Sequence, residues 1–199
     1  MAITYPLTFP EIDGKTIIEK ITMRHINSVA VTQSPFNYKQ QVQDYGGVRW
    51  EAEVTIRPLT HTEAKTFNAF ISSCKGSLGT FKMGNPLDVK TVDNATAVFQ
   101  SAHSEGDNAI NVSFTGSARI LVGEYISIAN HLYLVLNRTA VGGGESLDII
   151  PPLRQSAVTG QTVVTDEPVG LWRLASNQTE WNVSKNLHYS FTFSCVEDI

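Results

Sequence analysis

This 199-residue chain has only two cysteines, Cys74 and Cys195, and its charged residues make up only 17% of it. It also has no long apolar run. Each shortage removes a class of explanation. Two cysteines cannot lace a disulfide framework, and no Cys-x-x-Cys pair or Cys/His cluster offers a zinc site. The residues favour two buried thiols acting as small apolar side chains, with a disulfide as the minor alternative. Apolar runs of a few residues fall short of the ~20 that a transmembrane helix needs, so no membrane insertion is expected. The start, "MAITYPLTFPEIDG", has neither the basic residues nor the apolar segment of a secretory signal, which predicts synthesis and folding in a cytoplasm. Lys and Arg number 15 against 19 Asp and Glu, for a net charge of −4. A nucleic-acid-binding face needs clustered cations, and no basic run supplies them. Five Asn-x-Ser/Thr triplets (Asn94, Asn111, Asn137, Asn177, Asn182) carry little weight without a secretory route.

What is present reads mainly as β. With 42% hydrophobic residues the chain can bury one large β core or two small ones. Strand-like pieces run over Lys15–Ile26 and Asn27–Asn37, where Val29 and Val31 alternate with Ser28, Ala30 and Thr32. In "YGGVRWEAEVTIRPL", Trp50, Ala52, Val54 and Ile56 share one parity and point inward, while Arg49, Glu51, Glu53, Thr55 and Arg57 face water. Pro58 ends the ladder because it has no N–H to donate. A single helix follows over 62–75. Thr60 and Glu63 fit a capping box, and Ala64, Phe67, Phe70 or Ile71, and Cys74 make one apolar stripe. Gly76 is the expected left-handed stop. That stripe predicts packing on a sheet at the open end of a sandwich.

From Leu87 to about Val169 short β pieces ("TAVFQSA", "NAINVSF", "GEYISIANHLYLVLNRT", "ESLDIIPPL") alternate with turn chemistry, including a tight turn at Asn130-His131. Five or six strands in that span predict a small barrel or compact sandwich. The last strand, from Leu187, puts Tyr189, Phe191, Phe193 and Cys195 on one parity and is apolar enough to be central in a sheet. The expected architecture is mainly β. Residues 1–86 and 171–199 form a discontinuous β-sandwich domain with the one helix, and residues 87–170 form an inserted OB-like β-barrel.

No catalytic, cofactor-binding or metal-ligating set emerges. The histidines (His25, His61, His103, His131, His188) lack metal-ligand spacing. The serines have no Gly-x-Ser-x-Gly frame. "VGGGES" lacks the Lys-Ser/Thr of a phosphate loop and reads as a hairpin turn. Asp148 has no second carboxylate placed beside it by sequence to make a glycosidase pair. Tyr125, Tyr133 and Trp172 are candidates for a glycan-stacking platform in the insert, against core packing as the favoured reading.

The order of elements nevertheless resembles a family. "RWEAEVTI", then a helix with "AKTFNAFISSCKGSLGTF", then "GEYISI" at 123–128, "PPLR" at 151–154 and "LWRL" at 171–174, then a closing "FSCVED", is similar to the distal tail proteins of siphophages. The match is to the short form with an OB-fold-like insert. The resemblance implies a non-enzymatic ring, six-fold in the family, between tail tube protein and baseplate hub protein at the virion tail tip. The discontinuous domain would surround the channel, and the insert would project outward toward side fibres or carbohydrate. Another minor tail-tip protein, a carbohydrate-binding module on the host surface and a glycan hydrolase are the alternatives weighed against it.

Overall fold

A computed structural model describes residues 3–86, 96–115, 119–183 and 188–199. The protein is mainly β, with one α-helix, a mixed sheet and a separate barrel-like sheet, consistent with a sandwich plus a barrel. The first sheet is built from both ends of the chain. Its strands are β1 (Leu7–Thr8), β2 (Ile18–Gln33), β3 (Gln40–Ile56) and β4 (Thr80–Gly84) from the first part. From the last part come β11 (Val169–Leu174), β12 (Trp181–Val183) and β13 (Tyr189–Glu197). Their order is β1-β4-β11-β13-β3-β2, with β12 beside β13. The second sheet comes from β5 (Thr96–Phe99), β6 (Ala109–Thr115), β7 (Tyr125–Ile128), β8 (His131–Val141), β9 (Gly144–Ile150) and β10 (Thr162–Val163). It runs β10-β5-β6-β9-β8-β7, and a bridge between Ser127 and Val164 brings its two edges together.

Side-chain alternation explains the first core. Trp50, Ala52, Val54 and Ile56 are all buried, on the parity that faces the helix. Phe191 and Cys195 of β13 lie in the same core, with Phe193 partly buried against it. Helix α1 (His61–Cys74) lays its stripe of Ala64, Phe67, Phe70, Ile71 and Cys74 onto that face. Phe67 is the centre, with its ring 4.8 Å from Phe191 in an edge-on arrangement. Phe9 from the N-terminal segment meets Phe67 and Phe70 as well. Cys74 and Cys195 are both free thiols in this core. Burial pushes Cys74 up to about 11 and raises Cys195 further still. The second core gathers Phe99, Ile110, Val112, Ile126, Val135 and Leu147 inside the barrel.

The expected Thr60–Glu63 capping box is present, and only the far end of the helix differs in detail from expectation. At the start, the N–H and the hydroxyl of Thr60 both donate to Glu63 Oε2, at 2.7 and 2.8 Å, and Arg57 donates to Oε1 at 2.7 Å. At the other end the left-handed cap is Lys75, φ 51°, one residue before Gly76. Gly76 is left-handed too (φ 66°), and a Cβ there would stand 2.6 Å from Asn177 Oδ1 and 2.9 Å from its Cα. The glycine admits the segment that follows β11. The β7–β8 turn is also displaced by one residue: Ala129 and Asn130 hold the positive φ values, and His131 already pairs with Ile128. The two strand pieces read near the N-terminus are one 16-residue strand, β2, paired along its length with β3 around a bulge at Asn27/Val29. Leu187, the expected first residue of the last strand, lies outside the described residues.

Two outcomes follow. Phe67→Ala removes a fully buried ring from the centre of the helix–sheet contact and should cost about 3–5 kcal/mol in urea unfolding. The Arg57 guanidinium, then the Thr60 N–H and hydroxyl, hold Glu63 down at about 2 against an ordinary 4.5. A carboxylate depressed on folding stabilises above its unfolded value and loses that stabilisation as pH falls through its folded value. Glu63→Gln should therefore cost about 1 kcal/mol at neutral pH, a modest figure because the ion pair is partly solvated. The gap to wild type should close between pH 4.5 and 2.

Candidate functional site: the junction and the arm

Three motifs far apart in sequence converge where the barrel meets the mixed sheet. Strand β13 alternates, so the parity that buries Phe191 and Cys195 also carries Glu197 inward, where it is 7% exposed. The last rung between β13 and β3 pairs Val196 with Glu51. Beyond it the Trp50 N–H has no strand carbonyl opposite, and Glu197 Oε2 accepts it at 2.9 Å. A buried carboxylate requires a counter-charge, and Arg154 supplies it. Its Nε donates to Oε1 at 3.1 Å and its terminal nitrogen to Oε2 at 2.7 Å, a two-pronged contact. The same nitrogen reaches the Val48 carbonyl, while the Arg154 backbone N–H donates to the Tyr133 hydroxyl at 2.9 Å. One ion pair thus ties the barrel, β3 and the end of the chain together.

Uncharged contacts extend the junction. Trp50 Nε1 donates to the Leu132 carbonyl at 2.9 Å, and the Tyr125 ring stands edge-on to Trp50 at 5.9 Å. Ser127 donates to the Val169 carbonyl at 2.7 Å. Leu132, a barrel residue, belongs to the core of the other sheet. Gly170 permits the approach, since a Cβ there would lie 3.2 Å from Leu132 Cβ and 3.0 Å from Trp172 Nε1. Trp172 Nε1 donates to the Met83 carbonyl at 2.8 Å, and Arg173 pairs with Asp198 at 2.6 Å. His131 is buried here with no partner on Nδ1. Burial lowers its pKa from the ordinary 6.5 and the nearby Glu197 charge pulls it back up, while Arg154 adds to the lowering.

The sequence candidates now have places. Tyr133 is 1% exposed and Trp172 is 1% exposed, so neither ring has a face open to a sugar. Burial pushes the Tyr133 hydroxyl up to about 12. Tyr125 is half-buried against Trp50. Asp148 is exposed and takes the Asn137 side-chain amide at 3.2 Å, whereas Glu124 Oε2 takes the Leu121 N–H at 2.8 Å. These carboxylates occupy separate settings. Among the described residues no group of three His, Cys, Asp or Glu side chains is placed to hold a metal.

One constellation escaped sequence reading. Ser101 Oγ lies 3.2 Å from His103 Nε2, and His103 Nδ1 lies 3.1 Å from Asp107 Oδ2. That is the connectivity of a hydrolase relay. The Asn111 N–H, however, donates to the same Nε2 at 3.0 Å. It occupies the lone pair that would have to take the serine proton, and Asp107 Oδ2 also caps the Ser104 N–H at 3.0 Å. The trio fastens the loop before β6 to that strand. Its signal was the close spacing in "SAHSEGD".

The other distinctive surface is an arm. From Arg24 to Gly47, β2, β3 and their turn are exposed, with only Ser34 half-buried. Register places Val29 opposite Asp44 and Val31 opposite Val42 on one face, with Ala30 opposite Gln43 and Thr32 opposite Gln41 on the other. The ribbon is amphipathic, yet its apolar face has no core of its own. Val29 is 45%, Val31 58% and Val42 64% exposed, and Tyr45, on the face of Gln43, is 67% exposed.

In comparisons with known proteins, no family model matches this chain and no curated protein matches it at a significant level.

The junction carries a measurable consequence. Arg154→Met leaves the Glu197 carboxylate buried without its counter-charge and should cost about 3–5 kcal/mol. Arg154→Met combined with Glu197→Leu removes both charges and should cost clearly less, leaving the loss of the Trp50 acceptor. Urea unfolding of wild type, the two single variants and the double variant measures the coupling.

Proposed function

We propose that this protein is a structural component of a bacteriophage tail tip, forming a ring that joins the tail tube to the baseplate hub. The single observation that carries the reading is the arm: a two-stranded ribbon with an apolar face turned away from every core of its own chain. Apolar side chains held out on an exposed ribbon mark a protein contact, and long strand edges are kept from aggregating when they are covered in an assembly. The order of motifs described above points to the siphophage distal tail proteins in particular. In that reading six copies close a ring, the mixed sheet faces the channel, and the barrel faces outward. A carbohydrate-binding role for the insert receives less support, because Tyr133 and Trp172 are buried.

Light scattering of the purified chain tests this. The expected mass is about six times 21.9 kDa, with rings in negative-stain images. Replacing Ala30–Gln43 by Asn-Gly joins a paired position, Val29 opposite Asp44, through a two-residue hairpin. That variant should be monomeric with an unchanged melting temperature. A wild-type chain that stays monomeric at high micromolar concentration would overturn the reading.

A further inference from the structure

We propose that the tip of the arm seats in the cleft beside α1 of a second copy of this chain, so that the ring is held head to tail. This rests on the ring reading and adds to it the surface that receives the arm.

The tip is a preformed knob. Phe36 is 95% exposed, the most exposed large apolar side chain among the described residues. The turn that presents it is ordered by its own hydrogen bonds: Ser34 N–H to the Lys39 carbonyl at 2.9 Å, Tyr38 N–H to the Ser34 carbonyl at 3.0 Å, and Lys39 N–H to Asn37 Oδ1 at 3.1 Å. An aromatic already held in place loses little entropy on docking, and such side chains anchor interfaces when a pocket receives them.

The cleft is a matching pocket. It has a volume of about 240 Å³ and is lined by Phe67 and Ile71 of α1, Leu174 of β11, Trp181 of β12, and Phe191 and Phe193 of β13. Trp181 is 48% exposed at its rim and Phe193 is half-buried, while Phe67, Ile71, Leu174 and Phe191 form a buried floor. Charge agrees as well. Lys39 is the one ionisable side chain besides Tyr38 in the turn over 34–39, and among the described residues Glu180 is the only ionisable side chain lining the cleft.

Direction decides whose tip it is. At the cleft, Phe193 pairs with Val54, whereas the arm leaves β3 beyond Val48 in the opposite direction. At ~3.3 Å per residue along β3, a molecule's own tip lies roughly 45 Å from its own cleft. Each copy therefore offers one tip and one cleft on different surfaces. A contact of that kind is heterologous, and repeated around an axis it closes a ring.

The experiment uses the full chain carrying Pro35→Cys and Gln178→Cys, both at exposed positions and with Phe36 kept, oxidised and run on a denaturing gel beside each single variant. The native thiols are buried with raised pKa values and stay silent. The expected result is a covalent ladder in the double variant alone. A mixture of the two single variants should stop at dimers. Lys39→Glu should raise the concentration of half-dissociation tenfold or more, and adding Glu180→Lys to the same chain should restore it. Multimers by light scattering that give no ladder would overturn the docking while leaving the ring reading intact, with a different protein taking the tip. A dimer linked through Pro35→Cys alone would overturn it too, because two tips would then meet each other. A monomeric wild type would remove both readings.

Discussion

Strand β13 lies between β3 and β11, and that position is the constraint on which the rest depends. Its two neighbours in the sheet come from segments more than a hundred residues apart. Only when it is in place do both halves of the mixed sheet share a core, since Phe191 and Cys195 fill the space under α1. Its final inward residue is a carboxylate, so sheet completion and the capture of Arg154 are one event. Folding of the barrel onto the sheet is thereby coupled to the pairing of β13 with β3, a contact of high sequence separation that carries a large loop-closure entropy.

The junction and the arm illustrate opposite uses of alternation. In β13 the period of two carries a charge into the interior, where a bidentate guanidinium and a main-chain N–H satisfy it. In the outer half of β2 and β3 the same period produces an apolar face with nothing behind it. The first ties the two sheets together at the middle of the molecule. The second leaves its hydrophobic gain unrealised until another surface arrives. A chain with a net charge of only −4 has little long-range repulsion to keep such faces apart.

Much of the fold was legible because it rests on local periodicity. Trp50, Ala52, Val54 and Ile56 read inward and are inward. The stripe from Ala64 to Cys74 read as one helical face and is one. Strands β1, β10 and β12 were not legible, since two or three residues carry no period. Strand β2 read as two pieces because its outer half has no core to sharpen the pattern and a bulge shifts its register. The junction was half legible: "GEYISI", "PPLR" and "LWRL" stood out as a combination, but pairing Arg154 with Glu197 needs the sheet order, which no spacing encodes. The Tyr133 ring illustrates the limit. Alternation marks it as facing one side of a strand, but not whether that side is a barrel interior.

One rung of the mixed sheet has a wider meaning. Gly84 pairs with Val169, so the chain departs for the barrel and returns from it at adjacent points, roughly 5 Å apart across a ladder. That rung acts as a socket with conditions: another folded unit with neighbouring ends could be plugged in there, provided that it also brings a cation for Glu197 and an apolar side chain for the seat of Leu132.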